Sequence, residues 1–362
     1  MIAAETYTSE WINSFKKTKE FNRINPPVLE KMIFALGLLE KLAETGFEFI
    51  FKGGTSLVLL LDNFNRLSTD IDIITTKSDE ELEKVLSDIV NSSQFTSFEV
   101  NKVRAKSSTV PKAHYYLRYD SAFQKQAHII LDVLFEENPY PLIVKTEIKN
   151  RWLQISEPIT KVLTPDINSI LGDKLTAFAP NTVGVPYYRN SNSMSTEIIK
   201  QLFDIGILIN HVTNIEITHQ AFKNTCQNQW KYRNLDFSFE LVYQDVFNTA
   251  LILAKREKNV EIQDKNNFTD LQNGIISFNA FLSNGSFRIE NAISASAKAA
   301  WFSTILKSGR FEYFIYYNPE HDVVDFEIKN VDFNFLNRFR KTNKEAFYYW
   351  YKTLELLNLV NH

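Results

Sequence analysis

The most informative pattern of apolar and polar positions lies in residues 47–74. It begins with Phe47–Phe51, an apolar, aromatic-rich run with the length of a β-strand, and a Gly53-Gly54 pair ends that strand. The apolar run Leu57–Leu61 then predicts one or two turns of helix. After this helix the chain returns to a strand, in which side chains two positions apart share a face. The segment therefore predicts a strand, a glycine turn, a short helix and a second strand.

The periodicity of apolar positions predicts the neighbouring elements. A helix is expected from Pro26 to about Glu44, because proline is tolerated in a first turn, and its apolar stripe is typical of a helix packed behind a sheet. Ser78 and Glu81 form the pattern of a capping box, which predicts a helix that continues to about Val90. Strands are predicted at residues 97–105, 113–120 and 127–135.

The second half of the chain has mainly helical periodicity. The sequence Thr164-Pro165-Asp166 predicts the start of a helix, with an N-cap followed by a first-turn proline. Another helix is expected from about Thr196. Further helices are predicted at residues 216–228, 238–256, 268–283, 290–308 and 333–358. Residues 311–329 alternate instead, which predicts a β-hairpin that turns at Asn318-Pro319.

These elements place the chain in the α/β class. At 362 residues, the chain is long enough for two domains with a sizeable core. We expect a mixed sheet flanked by helices in an N-terminal domain of residues 1–163. We expect residues 164–362 to form a mainly helical C-terminal domain that completes an active-site cleft.

Composition and charge narrow the class of protein. With 44% hydrophobic and 23% charged residues, the chain resembles an ordinary soluble globular protein. Its single cysteine, Cys226, excludes an internal disulfide framework and a cysteine-rich zinc site. We find no signal peptide and no apolar run that could span a membrane, so we expect a cytoplasmic protein without a membrane partner. The net charge of −3 gives no overall basic field for nucleic acid, so RNA contacts would depend on local patches.

Two aspartates lie two positions apart in the second strand of the opening pattern. Asp70 and Asp72 are therefore expected on one face, while Ile71 and Ile73 point into a core. Neighbouring carboxylates repel each other unless a cation lies between them. Mg²⁺ prefers oxygen ligands and binds through one or two carboxylates together with substrate phosphates. We predict that Asp70 and Asp72 bind magnesium.

The Gly53-Gly54 pair supplies the complementary feature. Because glycine has no Cβ, backbone N–H groups at such a turn can approach an anion closely, and the start of the following helix adds a favourable dipole. We predict that Gly53, Gly54 and Ser56 seat the β- and γ-phosphates of a nucleotide. A phosphate-binding turn beside metal-binding aspartates is the combination that phosphoryl or nucleotidyl transfer requires.

A third aspartate, Asp132, interrupts the strongly apolar strand Ile-Ile-Leu-Asp-Val-Leu-Phe. His128, Ile130, Asp132 and Leu134 are expected on one face of this strand. A lone buried carboxylate is unfavourable unless it is paired, metal-bound or protonated. Asp132 is therefore either part of a functional site or an aspartate at the end of a strand, at a solvated edge.

Two charged residues of the helical half lie among apolar positions. Lys174 falls within the apolar stripe of its helix, where a lysine either extends to the surface or meets an anion. Asp204 lies within Leu-Phe-Asp-Ile-Gly-Ile-Leu-Ile, an unfavourable place for an unpaired charge. For Asp204, two structural interpretations are possible: a surface pair with Lys200, four positions earlier, or an ion pair between two helices.

Four motifs, spread over roughly residues 30–210, resemble one known family. Gly-Gly-Thr-Ser followed by Asp-Ile-Asp resembles the signature of the nucleotidyltransferase fold. The fuller string Lys-Gly-Gly-Thr-Ser-Leu with Arg-Leu-Ser-Thr-Asp-Ile-Asp is similar to the AbiEii/AbiGii toxin family in particular. Downstream, Asp-Lys-Leu-Thr-Ala resembles the family's Lys-x-x-Ala motif, and the sequence that ends at Asp204 fits its Lys-x-x-x-Asp pattern.

This resemblance implies a nucleotidyltransferase domain in residues 1–163 and transfer of a nucleotide from an NTP, with release of pyrophosphate. It implies that Asp132 is the third carboxylate, which binds the metal with the first two and helps to activate an acceptor hydroxyl. It also implies that Lys174 contacts the triphosphate and that Asp204 belongs to the active site, where it orients Lys174 or the base. Thr55 and Arg66 complete the predicted set of nucleotide-binding residues.

The resemblance further implies a toxin of a type IV toxin–antitoxin or abortive-infection pair, acting in phage defence and neutralised by a neighbouring antitoxin. Related toxins imply an acceptor such as the 3′ end of tRNA. Two other hypotheses stay open. The protein could modify another protein or a small molecule, or it could be a nucleotide-binding regulator without turnover.

Two further segments each allow two interpretations. Residues 180–195 are rich in turn formers and predict either a mobile segment over the site, from which Arg189 reaches a phosphate, or a plain surface loop. The basic residues of 338–344 precede the aromatic residues of 348–351, a combination that can contact phosphates and stack on unpaired bases. Aromatic residues at helical spacing with charges between them more strongly favour an amphipathic core helix.

Overall fold

The computed structural model describes residues 1–100, 111–234, 238–256, 261–320 and 323–361. The chain divides into two compact units. The first comprises Met1–Asp166 and Ala280–Ser286, and the second comprises Ile167–Asn279 and Phe287–His362. The functional division into a domain of residues 1–163 and a domain of residues 164–362 stays a prediction.

The first unit is built on a mixed sheet. Its described strands are β1 (Ile50–Lys52), β2 (Ile71–Thr75), β3 (Phe95–Val100), β4 (Lys112–Tyr119) and β5 (Ala127–Phe135). They are ordered β1-β2-β5-β4-β3, and the β2–β5 pair is parallel while the other pairs are antiparallel. Strands β6 (Ile143–Glu147) and β7 (Lys161–Pro165) form a separate antiparallel pair. The prediction of a mixed sheet in this half of the chain is confirmed; residues 101–105 of the predicted third strand lie outside the described residues.

Helices cover the apolar face of this sheet. The helices of the unit are α1 (Ser9–Lys16), α2 (Pro26–Glu44), α3 (Gly53–Leu60) and α4 (Asp79–Ser92). Phe34 of α2 stacks on Tyr119 of β4 with ring centroids 3.8 Å apart, so the predicted packing helix is confirmed. The capping box at the start of α4 is also confirmed, because Ser78 and Glu81 each bond the other's backbone N–H.

Two predicted boundaries in the first unit differ from the structure. Strand β1 begins at Ile50 rather than Phe47, since the carbonyl of Glu48 accepts a hydrogen bond from the Thr75 hydroxyl instead of joining the ladder. The helix predicted to start at Thr164 begins at Ile167. Thr164 belongs to β7, where its buried hydroxyl bonds that of Thr146 at 2.7 Å. The N-cap pattern was therefore overridden by strand pairing.

The second unit is mainly helical, as predicted. Its helices are α5 (Ile167–Ala177), α6 (Ser195–Leu208), α7 (Ile215–Arg233), α8 (Phe239–Lys255), α9 (Ile262–Phe278), α10 (Ile289–Ser308), α11 (Phe339–Thr342) and α12 (Lys344–Leu356). Two-residue strands β8 (Tyr188–Arg189) and β9 (Asn192–Ser193) form a small hairpin. The predicted helix of residues 333–358 is interrupted because Asn343 leaves helical geometry and caps α12, accepting the Ala346 N–H.

The β-hairpin predicted for residues 311–329 is wrong. The described residues of this segment contain a short 3₁₀ turn, Phe311–Tyr313, and no strand. Their backbone groups bond side chains instead: the Tyr317 N–H donates to the Tyr349 hydroxyl, and the Arg340 guanidinium donates to the carbonyl oxygens of Val324 and Phe326. The alternating pattern thus belongs to a segment whose described backbone groups bond side chains rather than a partner strand.

Among the helices described, none is both long enough and apolar enough to pass through a bilayer.

Candidate active site

The two closely spaced aspartates lie at the start of β2. Asp70 directly precedes the strand and Asp72 is its second residue. Both side chains are half-exposed, while Ile71 and Ile73 between and beyond them are completely buried. The alternation predicted from the sequence is confirmed, because the strand keeps its apolar side chains on the core face and its carboxylates on the other.

Asp132 lies on the strand next to Asp72. In the parallel pairing of β2 and β5, Asp72 and Asp132 are direct partners. Strand β5 has neighbours on both sides, so the interpretation of Asp132 as an edge aspartate is wrong. The Asp132 side chain is 37% exposed, which keeps it hydrated on the face that carries Asp72. Its position beside Asp72 is confirmed; its catalytic and metal-binding roles stay predictions.

A row of polar side chains continues on either side of these two aspartates. Lys52 of β1 is the register partner of Asp72, and His114 of β4 is the partner of Asp132. The His114 Nδ1 makes a close contact with Asp132 Oδ1. The imidazole is buried, and its Nε2 has no hydrogen-bond partner among the described residues. His114 therefore fixes one oxygen of the third carboxylate and leaves the other available.

The glycine turn packs directly against Asp72. Gly53 has φ +79°, a left-handed conformation that glycine adopts without a penalty, and a Cβ added there would collide with the Asp72 carboxylate. A Cβ added to Gly54 would collide with the guanidinium group of Arg66. Helix α3 begins at this pair rather than after it. Both positions thus require glycine, because the Asp72 carboxylate and the Arg66 guanidinium leave no room for a Cβ. The N-terminus of α3 lies beside the Asp72 carboxylate.

Hydroxyl groups hold the turn in place. Thr55 Oγ1 donates to the backbone carbonyl of Asp70 and bonds the Ser68 hydroxyl at 2.8 Å. Ser56 Oγ donates to the carbonyl of Gly53 at 2.7 Å. Both residues are buried. The Thr55 hydroxyl ties α3 to the start of β2, and the Ser56 hydroxyl braces the glycine turn within α3. Their predicted contact with a nucleotide stays a prediction.

Arg66, another predicted nucleotide-binding residue, is 3% exposed. Its guanidinium carbon lies 5.4 Å from the centre of the Phe64 ring, and its backbone forms an antiparallel bridge with Leu282. Its position against Gly54 brings a permanent positive charge to the back of the helix start. Such a charge strengthens the attraction of this terminus for an anion.

Sequence reasoning missed a cation beside Asp70. The Lys31 ammonium of α2 lies 3.8 Å from Asp70 Oδ1, and the two side chains are 27% and 44% exposed. An opposite charge at this distance offsets the repulsion between neighbouring carboxylates. Neither Lys31 nor His114 had a local signal, because both contacts depend on how distant segments pair and pack.

The acidic residues suit magnesium in kind and exposure. Asp70 and Asp72 present carboxylate oxygens on one half-exposed face, which is the donor type that Mg²⁺ prefers. Within the part of the chain that the structure describes, no three acidic, histidine or cysteine residues are already grouped as a metal site. Mg²⁺ needs no such cage, since it binds through one or two carboxylates with substrate phosphates. The residues present therefore fit the ion.

Lys174 and Asp204 form an ion pair within the second unit. Lys174 Nζ of α5 lies 3.0 Å from Asp204 Oδ2 of α6, and their side chains are 7% and 0% exposed. Lys174 thus meets an anion and does not extend to the surface, while Lys200 pairs with Glu197 at 2.8 Å. The helix-to-helix ion pair considered for Asp204 is confirmed. The active-site roles of Lys174 and Asp204 stay predictions.

Gln201 is a third member of this group that the sequence did not indicate. Lys174 Nζ donates to Gln201 Oε1 at 2.9 Å. The amide nitrogen of Gln201 donates to the Glu197 carbonyl one turn earlier, which orients its oxygen toward the ammonium. Because an ammonium has three donors, Asp204 and Gln201 together can engage two of them.

The loop of residues 180–195 is anchored at its base. The buried Asp245 carboxylate accepts hydrogen bonds from Asn181 and Thr182. The Arg233 guanidinium donates to the carbonyl oxygens of residues 182–184. Arg189 is exposed in the small hairpin that follows. Its predicted contact with a phosphate stays a prediction.

The aromatic residues near the end of the chain belong to the core. Tyr348, Tyr349 and Trp350 are at most 3% exposed, so they offer no ring face for bases. Arg338 donates to the carbonyl of Ala254. The core-helix interpretation is confirmed for this segment.

A family model for the nucleotidyl transferase AbiEii toxin of type IV toxin–antitoxin systems matches residues 38–283, more than half of the chain. The chain belongs to this AbiEii family. The match includes the glycine turn, the three aspartates of the first unit and the Lys174–Asp204 pair. The protein is therefore a nucleotidyltransferase toxin of the type IV family, as the sequence motifs indicated, and its family implies an NTP substrate.

Comparison with solved structures bears on the fold alone. The chain is similar to MenT4, a nucleotidyltransferase toxin from Mycobacterium tuberculosis H37Rv, with a TM-score of 0.51 and 12% identity over 95% of this chain and 99% of that chain. It is also similar to a protein from H. pylori described as a nucleotidyltransferase, with a TM-score of 0.42 and 15% identity over 80% of this chain and 97% of that one. A comparison with curated proteins gave no match. The likeness to MenT4 supports the nucleotidyltransferase fold.

Proposed function

We propose that this toxin transfers a nucleotide from an NTP to the 3′ end of a tRNA in a magnesium-dependent reaction. The observation that carries the proposal is the pairing of Asp72 with Asp132 on adjacent parallel strands, beside Asp70 and the glycine turn. Three acids and a helix N-terminus then serve one reaction centre. The acceptor hydroxyl oxygen bonds the α-phosphorus, the bond to the bridging oxygen breaks, and pyrophosphate leaves with that electron pair.

The carboxylates of the first unit have separate tasks in this proposal. Asp70 and Asp72 hold Mg²⁺, which when bound polarises the α-phosphate and stabilises the attacking and leaving oxygens. Asp132 accepts the proton of the acceptor hydroxyl on its free oxygen. His114 holds the other oxygen and so keeps the carboxylate oriented toward the reacting atoms.

The phosphates of the NTP are proposed to bind at the glycine turn. With no side chain at Gly53 and Gly54, an anion can approach the first N–H groups of α3, and the buried Arg66 charge adds to the dipole of the helix. Thr55 acts by fixing this turn to the start of β2, and Ser56 acts by holding the Gly53 carbonyl within the turn. The β- and γ-phosphates would therefore lie on the β1 side of Asp72.

Lys174 is proposed to neutralise charge on the triphosphate. Asp204 holds its ammonium group through an ion pair and Gln201 through a hydrogen bond. A third N–H remains for a phosphate oxygen. The ion pair thus holds the Lys174 ammonium in one position, whereas the ammonium of a surface lysine would move more freely.

Incubation with α-labelled NTPs, Mg²⁺ and total RNA tests the proposal. Wild-type protein is expected to label RNA, and Asp70→Ala is expected to abolish labelling. Asp88→Ala is a matched control, because Asp88 is an exposed aspartate on the outer helix α4. If wild type and Asp70→Ala label RNA equally, or neither labels it, the proposed reaction is wrong.

The same assay separates the other candidate functions. Label on a protein or on a small molecule would identify a different acceptor for the same centre. NTP binding without pyrophosphate release would identify a regulator without turnover. We further propose that a cognate antitoxin neutralises the toxin, as expected for a type IV system; co-expression that restores growth of cells expressing the toxin would test this part.

A further inference from the structure

The face of the sheet that carries the carboxylates continues past Asp132 onto β4 and the beginning of β5. Tyr116 lies two positions from His114, so the two side chains share that face. His128 lies four positions from Asp132 on the same face of β5. With a rise of about 3.3 Å per residue, Tyr116 is roughly 7 Å along the strand from the row of Asp132 and His114.

Tyr116 and His128 form a pair on this face. Their ring centroids are 4.9 Å apart, with an interplanar angle of 67°. Both side chains are half-exposed, whereas Tyr115 and Leu117 on either side of Tyr116 are completely buried. Aromatic surface is therefore accessible on the open face, beside the proposed reaction centre.

The order of strands indicates which substrate this surface meets. The glycine turn follows β1, on one side of Asp72, while Asp132 and Tyr116 lie on the other side, on β5 and β4. In phosphoryl transfer the attacking and leaving oxygens are roughly in line across the phosphorus. If pyrophosphate leaves toward the glycine turn, the attacking hydroxyl comes from the side of β5 and β4. The aromatic pair thus lies on the acceptor side.

We propose that Tyr116, supported by His128, is the stacking platform for the terminal nucleobase of an RNA acceptor with an unpaired 3′ end. The inference rests on the proposed nucleotidyl transfer and adds its acceptor subsite. Aromatic side chains stack on any base that is not already stacked in a duplex, so this surface selects an unpaired end.

Charge near the pair supports recognition by stacking rather than by a basic patch. Lys31 and Arg118 both lie near His128, and burial followed by these two cations lowers the pKa of its imidazole. Lys31 is matched by Asp70, and Arg118 makes two hydrogen bonds to Glu99, at 3.0 and 3.2 Å. The cations are thus largely neutralised by neighbouring acids, which leaves the aromatic surface as the dominant feature.

The test uses a synthetic RNA hairpin with an unpaired 3′ overhang and the same hairpin with a blunt end. Wild type is expected to bind the overhang hairpin more tightly than the blunt one. Tyr116→Leu, which keeps apolar bulk but removes the ring, is expected to weaken binding and to raise the KM for this RNA about tenfold or more. The KM for the NTP should stay unchanged. Tyr116→Phe should behave as wild type.

Phe98→Leu is the matched control. Phe98 is a half-buried aromatic residue on β3, and its register partner Leu117 places it on the opposite face of the sheet. This variant should bind the overhang hairpin as tightly as wild type. Thermal melting of each variant shows that the differences do not arise from unfolding.

The possible results distinguish a failure of the proposed stacking platform from a failure of the proposed nucleotidyl transfer. If Tyr116→Leu binds the overhang as tightly as wild type, or changes only the KM for the NTP, the platform is wrong. The platform is also wrong if wild type binds neither hairpin, even where NTP and Mg²⁺ still yield pyrophosphate. If overhang binding depends on Tyr116 but no nucleotide is ever transferred to RNA, the platform stands and the proposed function fails.

Discussion

The two charged groups predicted from the sequence have opposite surroundings. In the first unit, Asp70 and Asp72 place like charges side by side on a half-exposed face, where the Lys31 ammonium lies 3.8 Å from Asp70 Oδ1. In the second unit, Lys174 and Asp204 place opposite charges 3.0 Å apart in a buried position. Like charges that stay hydrated are suited to receive a cation, whereas a buried pair satisfies itself and holds its members in place.

This difference separates residues that act on substrate from residues that also hold the fold. Removing a half-exposed carboxylate takes away a proposed metal ligand from a position that solvent reaches. Removing one member of a buried pair leaves the other charge without compensation in a medium of low dielectric. We therefore expect activity to respond most strongly in the first unit and stability to respond most strongly in the second.

The largest expected effect follows from Asp72→Asn. The change removes a negative charge from the proposed metal site, and transfer of labelled nucleotide to RNA should fall at least about a thousandfold. The unfolding midpoint should stay near that of wild type, because the side chain is half-exposed. Asp88→Asn on the outer helix is the control. Transfer that remains within a few fold of wild type would remove Asp72 from the reaction centre.

Asp204→Ala should have the next largest effect, on stability. It leaves the Lys174 ammonium buried without its partner, which destabilises proteins by about 3–5 kcal/mol. Urea-induced unfolding measures this loss. The double variant Lys174→Met, Asp204→Leu should recover much of the stability but none of the transfer. A single variant as stable as wild type would contradict the contrast between the two regions.

Gly53→Ala sharpens the comparison within the first unit. A positive φ destabilises alanine by about 1–2 kcal/mol, and the added Cβ also meets the Asp72 carboxylate. Gly46→Ala is a matched control, since Gly46 has φ +76° and nothing within 4 Å of an added Cβ. Thermal melting should show at least as large a loss of stability in Gly53→Ala as in Gly46→Ala, and only Gly53→Ala should lose transfer. Equal transfer by both would show that the close approach has no functional consequence.

The smallest effect concerns pH and the second unit. Burial, with Lys223 nearby, lowers the pKa of His219 from 6.5 to about 4, and its Nε2 lies 3.0 Å from the Tyr243 hydroxyl. The unfolded chain therefore binds this proton more readily, so stability is complete above pH 6.5 and falls as the pH drops toward 4. We expect a loss of about 1 kcal/mol, reduced by solvent screening. In His219→Gln, the unfolding midpoint should change less with pH over this range than it does in wild type. If it changes as steeply as in wild type, His219 is not the cause.

Local patterns made the core of the site predictable. The glycine pair, the alternation of Asp70 and Asp72 with buried isoleucines, and the interruption of β5 by Asp132 are each visible within one short segment. Lys174 and Asp204 were visible for the same reason, as charges among apolar positions.

Contacts set by distant segments were not predictable in this way. His114 meets Asp132 because of the register of β4 on β5, and Lys31 reaches Asp70 from a separate helix. The error at residues 311–329 has the same origin, because an alternating segment whose backbone bonds the Tyr349 and Arg340 side chains needs no partner strand. Periodicity shows which side of a segment is buried but not what covers it.

The most direct test of the carboxylate centre is to locate the metal. A crystal of the toxin with Mn²⁺ and a non-hydrolysable NTP should show an anomalous peak about 2.1 Å from carboxylate oxygens of both Asp70 and Asp72, with the triphosphate at the glycine turn. An ordered nucleotide whose metal lies away from both aspartates would contradict the account.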